Sequence, residues 1–452
     1  MSRVVVAGGG FAGTAAACRL AGDGHRPLLL ERTAHLGGRA ASFHDRQSGE
    51  TIDYAEHVLM ACCSASRGFL ARIGASDTVR FQPSLRIPLL CEGRTTKLHS
   101  SILPGPLHLA PSLLAYNPLS MRDRLDVLRA GAALWLQRSC GDESFDTWLD
   151  RYGQSESAMI RLWNPICIAT LNAPAERVRV ASARQVFREA FFVPEGANMG
   201  LFVRPLSAIF DRARAYLECH DGTVRTRAAV RRVLIDGTAA HGVELSDGEV
   251  VEADAVVIAV PPSALFELFD GDPKLVGIVQ CAAELAWSPI VDVHLWFDRP
   301  VMRELFAIAL DAPIQTAFCA ERQLGDPFER DGGSAHIVVS QSAADNWIDL
   351  SSGEIGSLVA DAIRDLFPEA RDAACLRTLV IKHRRATFVP TPGTEALRPG
   401  AGTPVAGLFL AGDWTDTGWP STIESAIRSG VAAAAHVETR LESEGEASVR
   451  GA

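Results

Sequence analysis

Three glycines open the chain in Gly8-Gly9-Gly10-Phe11-Ala12-Gly13, a G-x-G-x-x-G spacing. That spacing suits a diphosphate. Gly8 allows a tight turn, Gly10 lets a pyrophosphate reach the backbone, and Gly13 lets a helix pack closely on a strand. Phe11 and Ala12 lie in this phosphate-binding loop, and the N-terminus of the helix that follows it faces the phosphates with free N–H groups and a partial positive charge. Glu31 follows Gly13 by eighteen residues, where a carboxylate can accept hydrogen bonds from a ribose diol. Metal chemistry has no comparable signature. The ten cysteines run from Cys18 to Cys375 without a C-x-x-C pair or a His/Cys ligand spacing, and read as reduced core residues.

These groups need elements to hold them. Arg3-Val4-Val5-Val6-Ala7 reads as a buried parallel strand, Thr14 to Leu20 as a helix, and Pro27-Leu28-Leu29-Leu30 as the strand delivering Glu31. Asp254 to Val260 is another buried strand, and Thr223 to Asp236 alternates like one. Gly407 to Ala411 is a further strand, followed by Gly412-Asp413 and by a helix predicted to start near Thr422. The expected fold class is α/β, with a Rossmann-like dinucleotide domain.

Two further elements narrow the cofactor. Leu36-Gly37-Gly38-Arg39-Ala40-Ala41-Ser42 resembles the L-G-G-R-x-x-S element of the amine oxidase and phytoene desaturase flavoproteins. Gly412-Asp413 with Thr422-Ile423-Glu424-Ser425-Ala426 resembles their second FAD element. The resemblance implies FAD, with Gly38 and Arg39 against its pyrophosphate and Asp413 on the ribityl or phosphate region. It places the helix start at Thr422 and Ile423 by the flavin O2, and the backbone of Val230 at the adenine. It puts Ala55, Glu56 and His57 beside the isoalloxazine ring. A permanent cation suits the pyrophosphate, and a helix N-terminus suits the anionic edge of a reduced flavin.

The segments between carry a narrower resemblance, to the hydroxysqualene dehydroxylases, also called squalene-associated FAD-dependent desaturases. It rests on Leu162 to Pro174, on Ser288-Pro289-Ile290 leading to His294-Leu295-Trp296-Phe297, on Arg385 to Phe388, and on Gly412 to Gly418. It implies reductive loss of an allylic hydroxyl from a polyisoprenoid in hopanoid synthesis, by hydride transfer from reduced flavin. Glu56 and His57 are the candidate catalytic acids. The alternative is a carotenoid-type desaturase; an amine oxidase and a non-enzymatic prenyl-binding chaperone are more distant readings. Nothing in the sequence names the electron donor. The chain departs from the family at Asp53-Tyr54-Ala55-Glu56-His57, usually D-x-G-Q-H, at Ser425, usually glycine, and at Trp419, usually a smaller aliphatic residue. Ala55 adds a methyl near the flavin and Glu56 a charge.

At 452 residues the chain is long enough for two cores, and a net charge of −10 argues against a nucleic-acid partner. The expected FAD domain is discontinuous, 1–65, 200–265 and 375–440, with an inserted α+β substrate domain at 66–199 and 266–374. Residues 441–452 read as a disordered tail. No targeting segment is visible, so the expected location is cytoplasmic. A C30 substrate costs on the order of 20 kcal/mol to bring from lipid to water, at ~0.8 kcal/mol per CH₂. Contact with a membrane surface is therefore expected, and the proline-broken apolar stretch Leu98 to Met121 is the candidate. The helix that follows adds Leu125, Leu128, Ala132, Trp135 and Leu136 on one face.

Overall fold

Val4, Val5 and Val6 are apolar in succession because both faces of their strand are covered. In the computed structural model, which describes residues 2–320 and 335–450, Arg3–Ala7 is the middle strand of a five-stranded parallel sheet. The order is Thr223–Thr226, Arg26–Glu31, Arg3–Ala7, Ala255–Ile258, Leu408–Leu410. Val4 and Val6 face the helices Phe11–Gly22, Ser207–Cys219 and Ile423–Arg450. Val5 and Ala7 face an antiparallel ribbon of Val230–Asp236, Ala239–Leu245 and Val250–Glu252, together with the helix Val276–Ala283.

A second, seven-stranded sheet has the order Cys375–Phe388, Trp287–Phe297, His336–Ser342, Thr316–Cys319, Phe306–Ala309, Arg86–Cys91, Arg94–His99. Side chains alternate along its strands. Val291, Val293 and Leu295 pack with the helix Ser352–Leu366 in one core, which leaves Ile290 and Asp292 on the opposite face. Helices from the 105–197 region build another core, around Trp148, Trp163 and Phe187.

Three expectations need correction. Strand Cys375–Phe388 does not join the dinucleotide sheet; it pairs antiparallel with Trp287–Phe297, with Val291 opposite Lys382. The return to the first sheet comes only at Leu408, because fourteen residues of uninterrupted strand outlast the boundary placed at 375. Conversely, Leu268, Leu275 and Ala282, counted with the substrate insertion, pack in the core beneath the dinucleotide sheet. Residues 441–450 of the expected tail are helical, as helix Ile423–Arg450 continues through them; 451–452 lie outside the described residues. The Arg440–Glu444 pair, one turn apart at 2.7 Å, explains how a polar end extends the helix.

All ten cysteines are free. Burial pushes the Cys167 thiol well above its usual range, as expected of a core residue.

Candidate active site

Each glycine of the first loop does a different job. Gly8 has φ +111°, and a Cβ there would lie 2.4 Å from the Ala259 carbonyl oxygen. At Gly13 a Cβ would lie 2.0 Å from the Gly8 carbonyl oxygen, so only glycine lets helix and turn touch. Gly10 has nothing within 4 Å of that position and opens onto the cavity. Glu31 is buried at its strand end; its carboxylate accepts the Gly9 N–H and the Thr33 N–H, both at 2.8 Å. It therefore holds the loop shape as well as lining the cavity.

The Leu36–Ser42 element is stitched onto this loop by Gly37 N–H donating to the Gly9 carbonyl at 2.9 Å. Arg39 pairs with Asp413 and donates to the Ala386 carbonyl at 2.6 Å, tying the first and last motifs together. Asp413 also accepts from the Ser421 hydroxyl. Thr422 starts the C-terminal helix, its hydroxyl accepting the Ser425 N–H at 3.1 Å in the manner of an N-cap.

The profile of the family described as "Flavin containing amine oxidoreductase" matches residues 11–438. The chain belongs to this family. Among curated relatives it is similar to a hydroxysqualene dehydroxylase of Zymomonas mobilis, 27% identical over 96% of this chain and 98% of the relative. It is also similar to a 15-cis-phytoene desaturase of Solanum lycopersicum, 23% identical over 94% of this chain and 76% of the relative. Among solved structures, an oxidoreductase from Methanosarcina mazei shares the fold, with TM-score 0.74 and 18% identity over 96% of this chain and 100% of that one.

FAD is the cofactor of this flavin-containing oxidoreductase, and the residues present fit it. The open floor at Gly10, the Arg39 cation and the helix starts at Phe11 and Ile423 border one cavity of about 1800 Å³. Gly8, Gly10, Phe11, Ala12, Glu31, Gly38, Arg39, Ala55, Glu56, His57, Val230, Gly412, Asp413, Thr422 and Ile423 all line it. Gly13 stands behind its wall. Phe11 contributes backbone there, for its ring turns into the core against Phe210, 4.8 Å between centroids. Nδ1 of His57 lies 3.0 Å from the Ala55 carbonyl oxygen, a short backbone contact.

The departure at Ser425 is absorbed locally. Its hydroxyl donates to the Asp413 carbonyl at 3.2 Å and lies 2.7 Å from the Thr417 hydroxyl, so the extra atoms brace the loop. Trp419 lines the cavity, and its ring carries the Arg428 guanidinium at 4.7 Å.

Four residues of the site were given no role of their own by the sequence reading, although Glu424 stands inside its second FAD element. Arg398 is buried, and its guanidinium donates to the carbonyls of Thr415 and Trp419 at 2.5 and 2.9 Å, shaping the loop after Asp413. Burial lowers it to about 10, still cationic at neutral pH. The Glu424 carboxylate accepts the N–H groups of Ala65 and Ser66 at 3.0 and 2.8 Å, at the N-terminus of helix Ser64–Arg72. His383 lines the cavity and is held below its ordinary value by burial first, then by the nearby His57 and Arg39. Asp292 is fully buried on the cavity wall, and desolvation, with Glu56 adding to it, raises its carboxyl to about 7. The signal for Asp292 was present: it is one acidic residue inside the apolar run Ile290-Val291-Asp292-Val293.

Beyond these polar groups the wall becomes apolar, with Ile87, Leu89, Leu98, Leu162, Phe306 and Phe318. Cys91, Glu92 and Asp311 cluster near this arm. The Cys91 thiol donates to Asp311 at 2.8 Å, and Arg161 reaches Glu92 at 2.9 Å and Asp311 at 3.6 Å. A guanidinium thus already balances that negative charge.

Proposed function

We propose that this flavoenzyme removes the allylic hydroxyl of hydroxysqualene to give squalene, in hopanoid synthesis. The observation that carries the reading is the lining of its cavity: Glu56 and His383 border a space whose walls include Ile87, Leu89, Leu98, Leu162, Phe306 and Phe318. A largely hydrocarbon ligand with an oxygen suits a lining that combines those apolar side chains with a few polar ones. The full-length match to a hydroxysqualene dehydroxylase supports the same choice, since the desaturase relative extends well beyond the shared region.

When bound and reduced, FAD supplies the hydride. The chain's own residues must hold the allylic carbon within the cavity, exclude water and assist loss of a poor leaving group. Glu56 and His57 line it. The positive ends of the helices at Phe11 and Ile423 suit an anionic cofactor.

Among the described residues no helix is long and apolar enough to cross a membrane. In this reading the protein works from the cytoplasmic side of the cell membrane, drawing substrate from its surface. Ile102, Leu107, Met121, Leu125 and Leu136 are exposed apolar residues in and beside the Leu98–Met121 stretch. The Tyr116 hydroxyl donates to the Arg161 carbonyl at 2.8 Å, so the stretch abuts the turn carrying Ile160. Ile160 is both exposed and part of the cavity wall. Arg94, Lys97, Arg122 and Arg129 give the region a charge that favours anionic lipid.

Anaerobic addition of hydroxysqualene to dithionite-reduced protein tests the reading. Return of the oxidised flavin spectrum with formation of squalene is the expected result. Bleaching of oxidised enzyme by squalene or phytoene, with no reoxidation by hydroxysqualene, would establish the desaturase instead.

A further inference from the structure

We propose that Cys62 and Cys63 form a redox-sensitive dithiol in the cavity wall, which hydrogen peroxide closes to a disulfide that loosens the flavin site. Successive side chains of a strand point to opposite faces, but the chain turns just after strand Val58–Met60. The Ser64 N–H donates to the Cys62 carbonyl at 2.8 Å, and the turn brings both side chains to one side. Both line the cavity, half-buried, and their thiols interact directly. Among the described residues no other cysteine lines it.

The two thiols are not equivalent. The Cys63 thiol beside it holds Cys62 below its ordinary value, against burial and the nearby Glu424 and Glu189. Cys63 is raised, by Cys62 first and then by burial. Cys62 is thus the attacking sulfur and Cys63 the resolving one.

The step balances. The Cys62 thiolate attacks a peroxide oxygen, the O–O bond breaks, and the departing hydroxide takes a proton to become water. Cys62 is left as a sulfenic acid, oxidised by two electrons. The Cys63 sulfur then attacks the Cys62 sulfur, the S–O bond breaks, and the hydroxide leaves with the Cys63 proton as a second water. A reducing dithiol reverses the change by exchange.

Closure must move the backbone. Consecutive Cα atoms stand about 3.8 Å apart, whereas disulfides ordinarily span about 4.4 Å or more. The ring is strained, which makes the bond easily reduced and twists the peptide between the two residues. That peptide is tied on both sides. The Cys62 N–H donates to the Gly196 carbonyl at 3.1 Å, and a Cβ on Gly196 would stand 3.2 Å from the Cys62 Cβ. The Cys63 carbonyl accepts the Arg67 N–H at 3.1 Å in the first turn of helix Ser64–Arg72. Glu424 holds the Ala65 and Ser66 N–H groups of that same turn, and it follows Ile423 at the start of the C-terminal helix. A twist at Cys62–Cys63 therefore pulls on the helix start that borders the cavity.

The test treats FAD-loaded protein with hydrogen peroxide, blocks the remaining thiols and maps the tryptic peptides by mass. Peptide Gln47–Arg67 contains Cys62 and Cys63 and no other cysteine. It should lose two hydrogens and recover them with dithiothreitol. The Kd for FAD, read by flavin fluorescence, should rise about tenfold on oxidation, as for one lost hydrogen bond to a carboxylate, and return on reduction. Phenylarsine oxide, which exchanges its oxygen for two As–S bonds with release of water, should bind the reduced pair and block its oxidation. Cys63→Ser should stop at a Cys62 sulfenic acid that dimedone traps, and Cys62→Ser should give no adduct at Cys63. Neither variant should lose FAD affinity in peroxide.

A peptide that keeps both thiols while the exposed Cys219 is oxidised overturns the inference. So does a disulfide that leaves FAD affinity unchanged, or an equal peroxide effect on FAD affinity in Cys62→Ser.

Discussion

Arg39 joins two motifs that lie 374 residues apart in the chain, and its loss should be felt at both. The side chain is partly exposed toward the cavity, while its partner Asp413 is buried. Charge-assisted hydrogen bonds contribute about 1.5–3 kcal/mol, so Arg39→Ala should weaken FAD binding roughly 10- to 100-fold. Flavin retained on gel filtration, and affinity from flavin fluorescence, measure the effect. Unchanged affinity would place the pyrophosphate elsewhere. The burial of Asp292 has a consequence for stability. Its folded carboxyl is raised to about 7, so folding favours the protonated form and the native state is penalised as pH climbs. The penalty begins above the unfolded value near 3.9 and is complete above about 7. Asp292→Asn should therefore melt close to wild type in acid and several degrees higher at mildly alkaline pH; a pH-independent difference would refute the burial argument. At this scale the sequence showed the glycines, Glu31, Arg39 and Asp413, because local spacing defines them. It could not show Arg398, whose meaning comes from loops folded onto it, and it marked Asp292 only as an odd acid in an apolar run without the strand that partners it. Ser340 lies 48 residues from Asp292.

The segment from Leu98 to Leu136 shows what periodicity reads and what it misses. Helix Met121–Leu136 begins with a capping box in which Ser120 and Asp123 satisfy each other's backbone N–H groups. Its buried side is Val127, Ala130 and Leu134, while Leu125, Ala132 and Leu136 of the face read from sequence point outward. Leu128 and Trp135 are half-buried, and Trp135 packs edge-on against Phe192, 6.2 Å between centroids, beneath the Arg188 guanidinium. A helix apolar on two sides gives one amphipathic pattern, and only packing tells which side is core. The right probes are thus the exposed residues Ile102, Leu107, Leu125 and Leu136. Changing these four to aspartate should release the protein from anionic liposomes in a flotation assay, with circular dichroism and flavin content unchanged. Trp135→Asp should instead lower the melting temperature, since it places a charge in a core contact. Continued flotation of the well-folded fourfold variant would exclude this face as the docking surface. The same blindness to packing put the boundary of the dinucleotide domain at 375, ahead of strand Cys375–Phe388, which pairs in the second sheet.

The whole molecule is closed by its ends: the helix that begins at Ile423 lies against the helix that begins at Phe11. Contact is close enough that a Cβ on Gly430 would stand 2.1 Å from the Ala12 carbonyl oxygen. Both helices point their N-termini into the cavity wall, so the flavin site depends on a long-range docking that neither motif provides alone. FAD should accordingly act as a clamp: at about 100 times its Kd, a ligand bound only by the native state adds about 2.7 kcal/mol. Gly430→Ala forces backbone away from backbone, an overpacking that costs about 1–3 kcal/mol. It should raise the Kd for FAD at least tenfold and shrink the thermal shift that saturating FAD produces. Gly277→Ala is the matched control, because that helical glycine has nothing within 4 Å of an added Cβ. It should keep full FAD affinity, with a stability gain of about 0.5–1 kcal/mol from the better helix former. Equal FAD affinity in the two variants would mean that the helix pair is not what sets the cofactor site. A loss confined to Gly430→Ala would tie flavin binding to the closure of the chain's two ends.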